Sequence, residues 1–212
     1  MKQQEKAKKS KGNILNAAVK LFSEQGYDAT SLQDIMKETQ MSKGAIYHHF
    51  KGKQEILQTL TEEAHNCVRD YFEEVKNNHE LSTKEKILKI ISYFGNNSIQ
   101  NNLIENRWVE KVPYALLDTL RGTMKNLSPI LAEIFQQGIE KNEIKCDHPT
   151  FAAEVILILA DVWLDPILFK WKLEELELRS DYVFGIINQL VPGLINQKDM
   201  KFMKNTLLKL SK

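Results

Sequence analysis

The chain of 212 residues holds two cysteines, five prolines and no long apolar run, and each scarcity removes a class of protein. Cys67 and Cys146 stand far apart in no metal-ligand or redox spacing, so they read as unpaired thiols of a reducing cytosol. No stretch reaches the roughly 20 apolar residues that a spanning helix needs. The longest candidate, Phe151 to Trp163, is interrupted by Glu154 and Asp161. No N-terminal segment joins a basic start to an apolar core, and the expectation is a soluble, cytoplasmic chain. A nucleophile elbow, a Walker loop, an H-E-x-x-H pair and a cofactor fingerprint are all missing, which argues against an enzyme and against a cofactor. His48 and His49 are adjacent, but neighbouring helical positions point about 100° apart and do not converge on one ion. His65 with Cys67 is no better spaced, so no metal site is expected. Sustained period-two alternation between turn dipeptides is absent as well, leaving an all-α chain without internal repeats.

What is present begins with charge. The overall balance is only +1, yet residues 1–53 hold ten lysines against five acids, and the remainder holds 19 basic against 23 acidic residues. A basic head on an acidic body is the footprint of a module that docks phosphate with one end. The lysine-rich stretch from Lys2 to Lys11, taken alone, reads equally as a solvated tail. Hydrophobic residues make up 42% of the chain, enough to bury a sizeable core in one or two domains.

The head has a legible plan. From Asn13 to Gly26, residues Ile14, Leu15, Ala17, Ala18, Leu21 and Phe22 fall on one helical face. Gly26 then offers the left-handed residue that ends a helix, with Tyr27 placed to pack back on Phe22. Thr30 and Gln33 fit a capping box, so a second helix starts at Ser31 and carries Leu32, Ile35 and Met36 on one stripe. The pattern breaks at Thr39-Gln40-Met41. Ser42 is a good N-cap for a third helix that turns Ala45, Ile46 and Phe50 inward and Lys43, Gly44, Tyr47, His48 and His49 outward. After Gly52, an acceptable N-cap, one long helix runs through Ile56, Leu57, Leu60, Ala64, Val68, Tyr71, Phe72 and Val75. Two short helices joined by a tight turn, the second basic and aromatic, suit entry into the DNA major groove.

These residues carry a resemblance. The segment ILNAAVKLFSEQGYDATSLQDIMKETQMSKGAIYHHFKGKQEIL, Ile14 to Leu57, resembles the DNA-binding domain of the tetracycline-repressor (TetR) family. The helix ILxAAxxLFxxxGY, the recognition helix S-K-G-x-x-Y-x-H-F and Lys53 match in order and spacing. Two departures stand out: Gln40 occupies a turn position that is often glycine, so a non-glycine residue is expected at positive φ there, and Gly52 replaces a serine or asparagine cap. The resemblance implies a division into a helix-turn-helix DNA-binding domain, 1–53, and a helical ligand-binding and dimerisation domain, 54–212. It also implies operator DNA as partner, a homodimer, and an inducer pocket in the body.

Within the head, Lys43 reaches guanine or phosphate, and Gly44 with Ala45 lets the backbone approach the groove. Ser42 opens that helix, and Tyr47 and His48 donate to phosphate or a base edge. Thr30 and Ser31 sit at a helix N-terminus that favours phosphate, and Lys53 follows the same logic at the start of the fourth helix. The alternative for the whole set is an ordinary solvated helix face.

The body reads as further helices. Ser82 and Glu85 form another capping box, opening a helix with Ile87, Leu88, Ile90, Ile91 and Phe94 inward. A short helical piece covers 103–109. Segments 114–126 and 128–141, the second capped by Ser128 before Pro129, stand as two helices or as one bent at the proline. Asn142 ends the second. Asp147 caps a helix running to Pro166, and a last pair covers 180–194 and 199–210. Helix 149–165 is apolar on nearly every face, so burial on nearly every side is expected. With the wide stripe of helix 180–194 it suits an isologous contact with a second copy; the alternative is that both finish the protomer's own core. Phe94, Trp108, Tyr114, Met124, Phe135 and Trp163 are candidates to line a pocket for an apolar or aromatic ligand, and Phe169 is a further large aromatic of the body. Glu105, Arg107, Glu110 and Asp161 are polar groups placed to orient the ligand. Core packing is the competing role for each. The leading function is therefore a ligand-responsive transcriptional repressor, with a constitutive DNA-binding regulator lacking a small-molecule site as the alternative.

Overall fold

The computed structural model describes residues 2–96, 115–169 and 171–210, and every regular element in them is helical. In chain order these are α1 (Lys2–Gln25), α2 (Leu32–Thr39), α3 (Lys43–His49), α4 (Lys53–Asn77), α5 (Thr83–Asn96) and α6 (Ala115–Gly122). They are followed by a π-helical turn π1 (Thr123–Leu127), α7 (Ser128–Glu140), α8 (Pro149–Ile158), a second π-helical turn π2 (Leu159–Trp163), α9 (Pro166–Phe169), α10 (Leu173–Leu190) and α11 (Gln197–Leu210). The expected helical piece at 103–109, with Glu105, Arg107 and Glu110, lies outside the described residues. The chain divides into two compact units whose boundary falls between Ala64 and His65, inside α4.

In the first unit, Ile14, Ala18 and Phe22 of α1, Ile35 of α2, Ile46 of α3 and Ile56 and Leu57 of α4 close around Phe50 as one core. α1 starts at Lys2, earlier than the apolar periodicity alone requires, because lysine, glutamine and alanine are good helix formers and no proline breaks the run. It stops where expected. Gly26 takes φ +84° and its N–H donates to the Phe22 carbonyl at 3.0 Å, while the Tyr27 ring packs edge-on to Phe22 at 5.2 Å.

The second helix corrects one expectation. Its N-cap is Ser31, with Asp34 rather than Gln33 closing the capping box: Ser31 Oγ accepts from Asp34 N at 3.2 Å and Asp34 Oδ2 accepts from Ser31 N at 2.9 Å. Thr30 cannot cap because it is buried and its hydroxyl donates to the Gly26 carbonyl at 2.8 Å. Gln40 sits at φ 55°, as the turn demands of a residue in a position that favours glycine.

In the second unit, Phe72, Ile90, Ile134, Phe135, Ala153, Leu176, Phe184 and Val191 belong to one core. Ser82 and Glu85 make the expected capping box at the head of α5. Lys86, fully buried, donates to the Lys76 carbonyl at 2.7 Å and to Gln137 Oε1 at 2.6 Å, so one ammonium ties the end of α4 to α5 and α7. Burial pushes that amine below the usual lysine range. Gly138 lets α5 and α7 approach closely, since a Cβ there would run into the Thr83 hydroxyl and Ile144. Just past the end of α7, Asn142 takes φ 58°, with Glu143 N donating back to the Gly138 carbonyl at 2.9 Å.

Residues 115–140 form one continuous helical run, and π1 lies just before the proline. Ser128 is not the N-cap of α7, a position that falls on Leu127. Its N–H donates to the Thr123 carbonyl, five residues back, and its hydroxyl donates to the Met124 carbonyl at 3.0 Å. In that register the next donor would be Pro129, which has none, so the serine hydroxyl satisfies the carbonyl that the proline leaves open. Asp147 does not cap α8 either; the N-cap position falls on His148, without a side-chain hydrogen bond. α10 starts seven residues before Ser180 and ends at Leu190.

The expectation of burial on every side of helix 149–165 is overturned in the single chain. Ala152, Ala153 and Leu157 are buried, but Phe151 is 64% exposed and Val155 and Trp163 are exposed with it. On α10, Val183, Phe184 and Ile187 face the core, while Leu178 and Tyr182 (75% exposed) face solvent. α8 and α10 pack together. Among the described residues, no helix is long and apolar enough to cross a membrane.

Candidate nucleic-acid interface and body site

Recognition by a helix requires that its contact face be rigid and free. α3 meets both conditions. Ser42 Oγ accepts from Ala45 N at 3.2 Å, fixing the first turn, and Ile46 and Phe50 anchor the opposite face in the head core. Lys43, Gly44, Tyr47 and His48 are exposed, with Ala45 half-buried behind them. The Lys43 ammonium lies 5.7 Å from the centre of the Tyr47 ring, so cation and aromatic ring share one patch one helical turn apart. His48 and His49 rings meet edge-on at 5.1 Å. Among the described residues, no three His, Cys, Asp or Glu side chains gather as a metal site.

The remaining head candidates separate. Ser31 is exposed at the N-terminus of α2, although its hydroxyl and N–H are engaged with Asp34. Those bonds hold the Asp34 carboxyl below its usual range. Thr30, 1% exposed, has a side chain that reaches no surface ligand. Lys53 is not the freely exposed cation that its place at a helix start implies. Its Nζ donates to the carbonyls of Tyr27 at 2.6 Å and Thr30 at 2.7 Å, and lies 4.2 Å from the centre of the Tyr27 ring. Both placements have one cause. The turn after α1 exposes carbonyls that need donors, and Thr30 and Lys53 are the side chains within reach.

In the body, Trp108 and Tyr114 lie outside the described residues. Phe94 packs edge-on against Phe72 at 6.3 Å, and Phe135 is closed inside the core with no exposed surface. Met124 is half-buried in π1. Trp163, 45% exposed, carries the Arg179 guanidinium 4.5 Å over its ring, and Trp171 carries the same guanidinium at 3.5 Å on its own. Phe135 and Trp163 therefore serve different surroundings, and the former is packing. Asp161 does occupy a distinctive place. The Thr123 hydroxyl of π1 donates to its Oδ2 at 2.5 Å, and burial pushes its carboxyl up to about 6. The Thr123 partner was not legible beforehand, because threonine in a helical run carries no signal of what faces it. The Thr119 hydroxyl, lying 3.4 Å from His65 Nε2, is a second polar contact of this kind.

Residues 14–60 match the family model described as bacterial regulatory proteins, tetR family, and residues 115–181 match one described as a tetracyclin repressor-like C-terminal domain. Among curated relatives, the chain is 24% identical over 182 residues to the biofilm operon icaADBC HTH-type negative transcriptional regulator IcaR of Staphylococcus epidermidis, covering 84% of this chain and 97% of that protein. Among solved structures, Salmonella enterica GusR shares the fold with a TM-score of 0.61 at 21% identity, covering 85% of this chain and 94% of its own. RolR, solved in complex with the ligand resorcinol, does so with a TM-score of 0.57 at 13% identity, covering 94% and 95%.

Proposed function

Because the chain belongs to the TetR family of bacterial transcriptional regulators, we propose that it is a homodimeric repressor that reads operator DNA with α3 and is released by a small, largely apolar or aromatic molecule held in its body. The observation that carries the DNA-binding part is the exposed patch of Lys43, Gly44, Tyr47 and His48 on a helix whose other face is locked in the head core. Lysine and the small Gly44 suit base edges at close approach, and Tyr47 and His48 supply donors to phosphate. Negative regulation is supported by the relation to IcaR, a negative transcriptional regulator by name.

Dimerisation is supported by the apolar side chains that α8 and α10 leave in solvent, Phe151, Val155, Leu178 and Tyr182. Two helices that pack on each other and share an apolar outer face can meet the same pair of a second copy around a two-fold axis. One recognition helix reads few base pairs, so two heads at half-sites about 34–36 Å apart supply the specificity that one lacks. An effector is supported by RolR, a structural relative that holds resorcinol, and by the polar groups that meet between π1 and π2.

Selection of binding sites from a random duplex pool tests the reading. A two-fold symmetric site should be enriched, and Tyr47→Ala should weaken binding to it at least ten-fold while melting at the wild-type temperature. Failure to enrich any sequence would reject operator recognition.

A further inference from the structure

Four polar side chains form one line through the body. His65 Nε2 on α4 lies 3.4 Å from the Thr119 hydroxyl on α6. Thr123 follows Thr119 by one helical turn and donates its hydroxyl to Asp161 on π2 at 2.5 Å. The last two members both belong to π-helical turns, which are rare in proteins and concentrate at functional sites.

Asp161 is the chemically unfinished member. An ionised carboxylate offers about four acceptor positions, and among the described residues this one accepts from the single neutral hydroxyl of Thr123. Asp161 is half-buried, and that desolvation, with Asp165 adding repulsion, pushes the group up to about 6. Arg179, which packs on Trp163 of the same π turn, pairs with Glu175 at 3.1 Å. A half-buried carboxylate with one neutral donor keeps acceptor positions that a cation can fill, and an opposite charge beside it favours its ionised form.

We propose that Asp161 is the charge-recognising end of the effector site, and that the effector is an apolar molecule bearing a protonated amine, which displaces the Thr123 hydroxyl from the carboxylate. The assignment rests on the reading of the body as an effector site and adds the class of molecule to it. Anionic effectors are disfavoured at this end, since Asp161 repels them. The consequence for the helices is direct. Thr123 released from Asp161 removes the hydrogen bond that joins π1 to π2, and the run that contains Thr123 also presents Thr119 to His65 of α4. The amine is thereby sensed at α4 without touching it.

The test uses the full chain and a panel of phenylalkyl skeletons, each prepared as the amine, the alcohol and the carboxylate, with binding followed by calorimetry at pH 8. The amines should bind the wild-type protein at least ten-fold more tightly than the matched alcohols, and the carboxylates should bind most weakly. Asp161→Asn keeps the shape and still accepts from Thr123, so it should fold, bind the alcohols as before and lose the preference for amines. Thr123→Val should keep that preference. Alcohols or carboxylates equal to the amines in the wild type would overturn the proposal without any variant, as would amine preference surviving in Asp161→Asn or no binding by any amine up to millimolar concentration. The broader effector reading falls separately, only if an unbiased screen finds no molecule of any charge that releases operator.

Discussion

Lys53 holds the turn after α1 together by donating to the carbonyls of Tyr27 and Thr30, with its ammonium over the Tyr27 ring. Hydrogen bonds from a charged donor contribute about 1.5–3 kcal/mol each when removed from water, and half-burial discounts the pair toward the lower end. Lys53→Ala should therefore destabilise the head by about 2 kcal/mol, read as a lower urea midpoint at unchanged slope. Its operator affinity should fall mainly through the shifted turn. An unchanged urea midpoint with weakened DNA binding would instead make Lys53 a plain phosphate contact. Thr30 belongs to the same turn: its hydroxyl accepts from Gln25 Nε2 at 3.2 Å and donates to the Gly26 carbonyl. Polar residues at the rim of a recognition surface can thus serve the surface by shaping it.

At the scale of elements, α8 and α10 each have two kinds of apolar side chain. Ile187, 5% exposed, faces the protomer's own core, so a charge there should unfold the body before it could report on association. Tyr182 and Phe151 face outward. Tyr182→Glu with Phe151→Glu should give a folded monomer at micromolar concentration, with the wild-type melting cooperativity and operator affinity reduced at least a hundred-fold, as sedimentation and DNA titration would show. A wild-type chain that sediments as a monomer at that concentration would end the dimer proposal. The two π turns matter at the same scale. Pro129 removes the donor that would continue the five-residue register of π1, and the adjacent Ser128 satisfies the open Met124 carbonyl with its hydroxyl.

For the whole molecule, the decisive quantity in the proposed induction is a coupling free energy. A ligand moves the protein from DNA-competent to incompetent only by its differential affinity for the two states. A shift from 99% to 1% competence requires roughly 5.5 kcal/mol of such difference. Burying about 200 Å² more apolar surface in one state would supply that amount. The coupling must be reciprocal. Saturating operator should weaken effector binding by the same factor by which effector weakens operator binding, and calorimetric titration with and without operator measures both. Equal effector affinity in the two titrations would reject induction while leaving DNA recognition intact. The uneven charge, ten lysines and five acids in residues 1–53, should make operator binding weaken steeply with added salt, as a titration at rising salt would show.

The helical class, the head and its recognition helix follow from local chemistry and were legible residue by residue. Apolar residues at helical spacing, Gly26 at the end of α1, Ser42 at the start of α3 and Gln40 in the turn each act within one or two helical turns of themselves. What the amino-acid order could not state is which partners come from far along the chain. The carbonyls that claim Lys53 lie more than twenty residues before it, Asp161 meets Thr123 thirty-eight residues away, and Lys86 reaches Gln137 across fifty-one. Likewise, an apolar stripe announces that a face wants burial, but only the packing of α8 against α10 decides that Ile187 is covered within the protomer while Phe151 and Tyr182 are left for another surface. Periodicity is a property of one helix, whereas burial and charge pairing are properties of two or more, and only the folded chain assembles those.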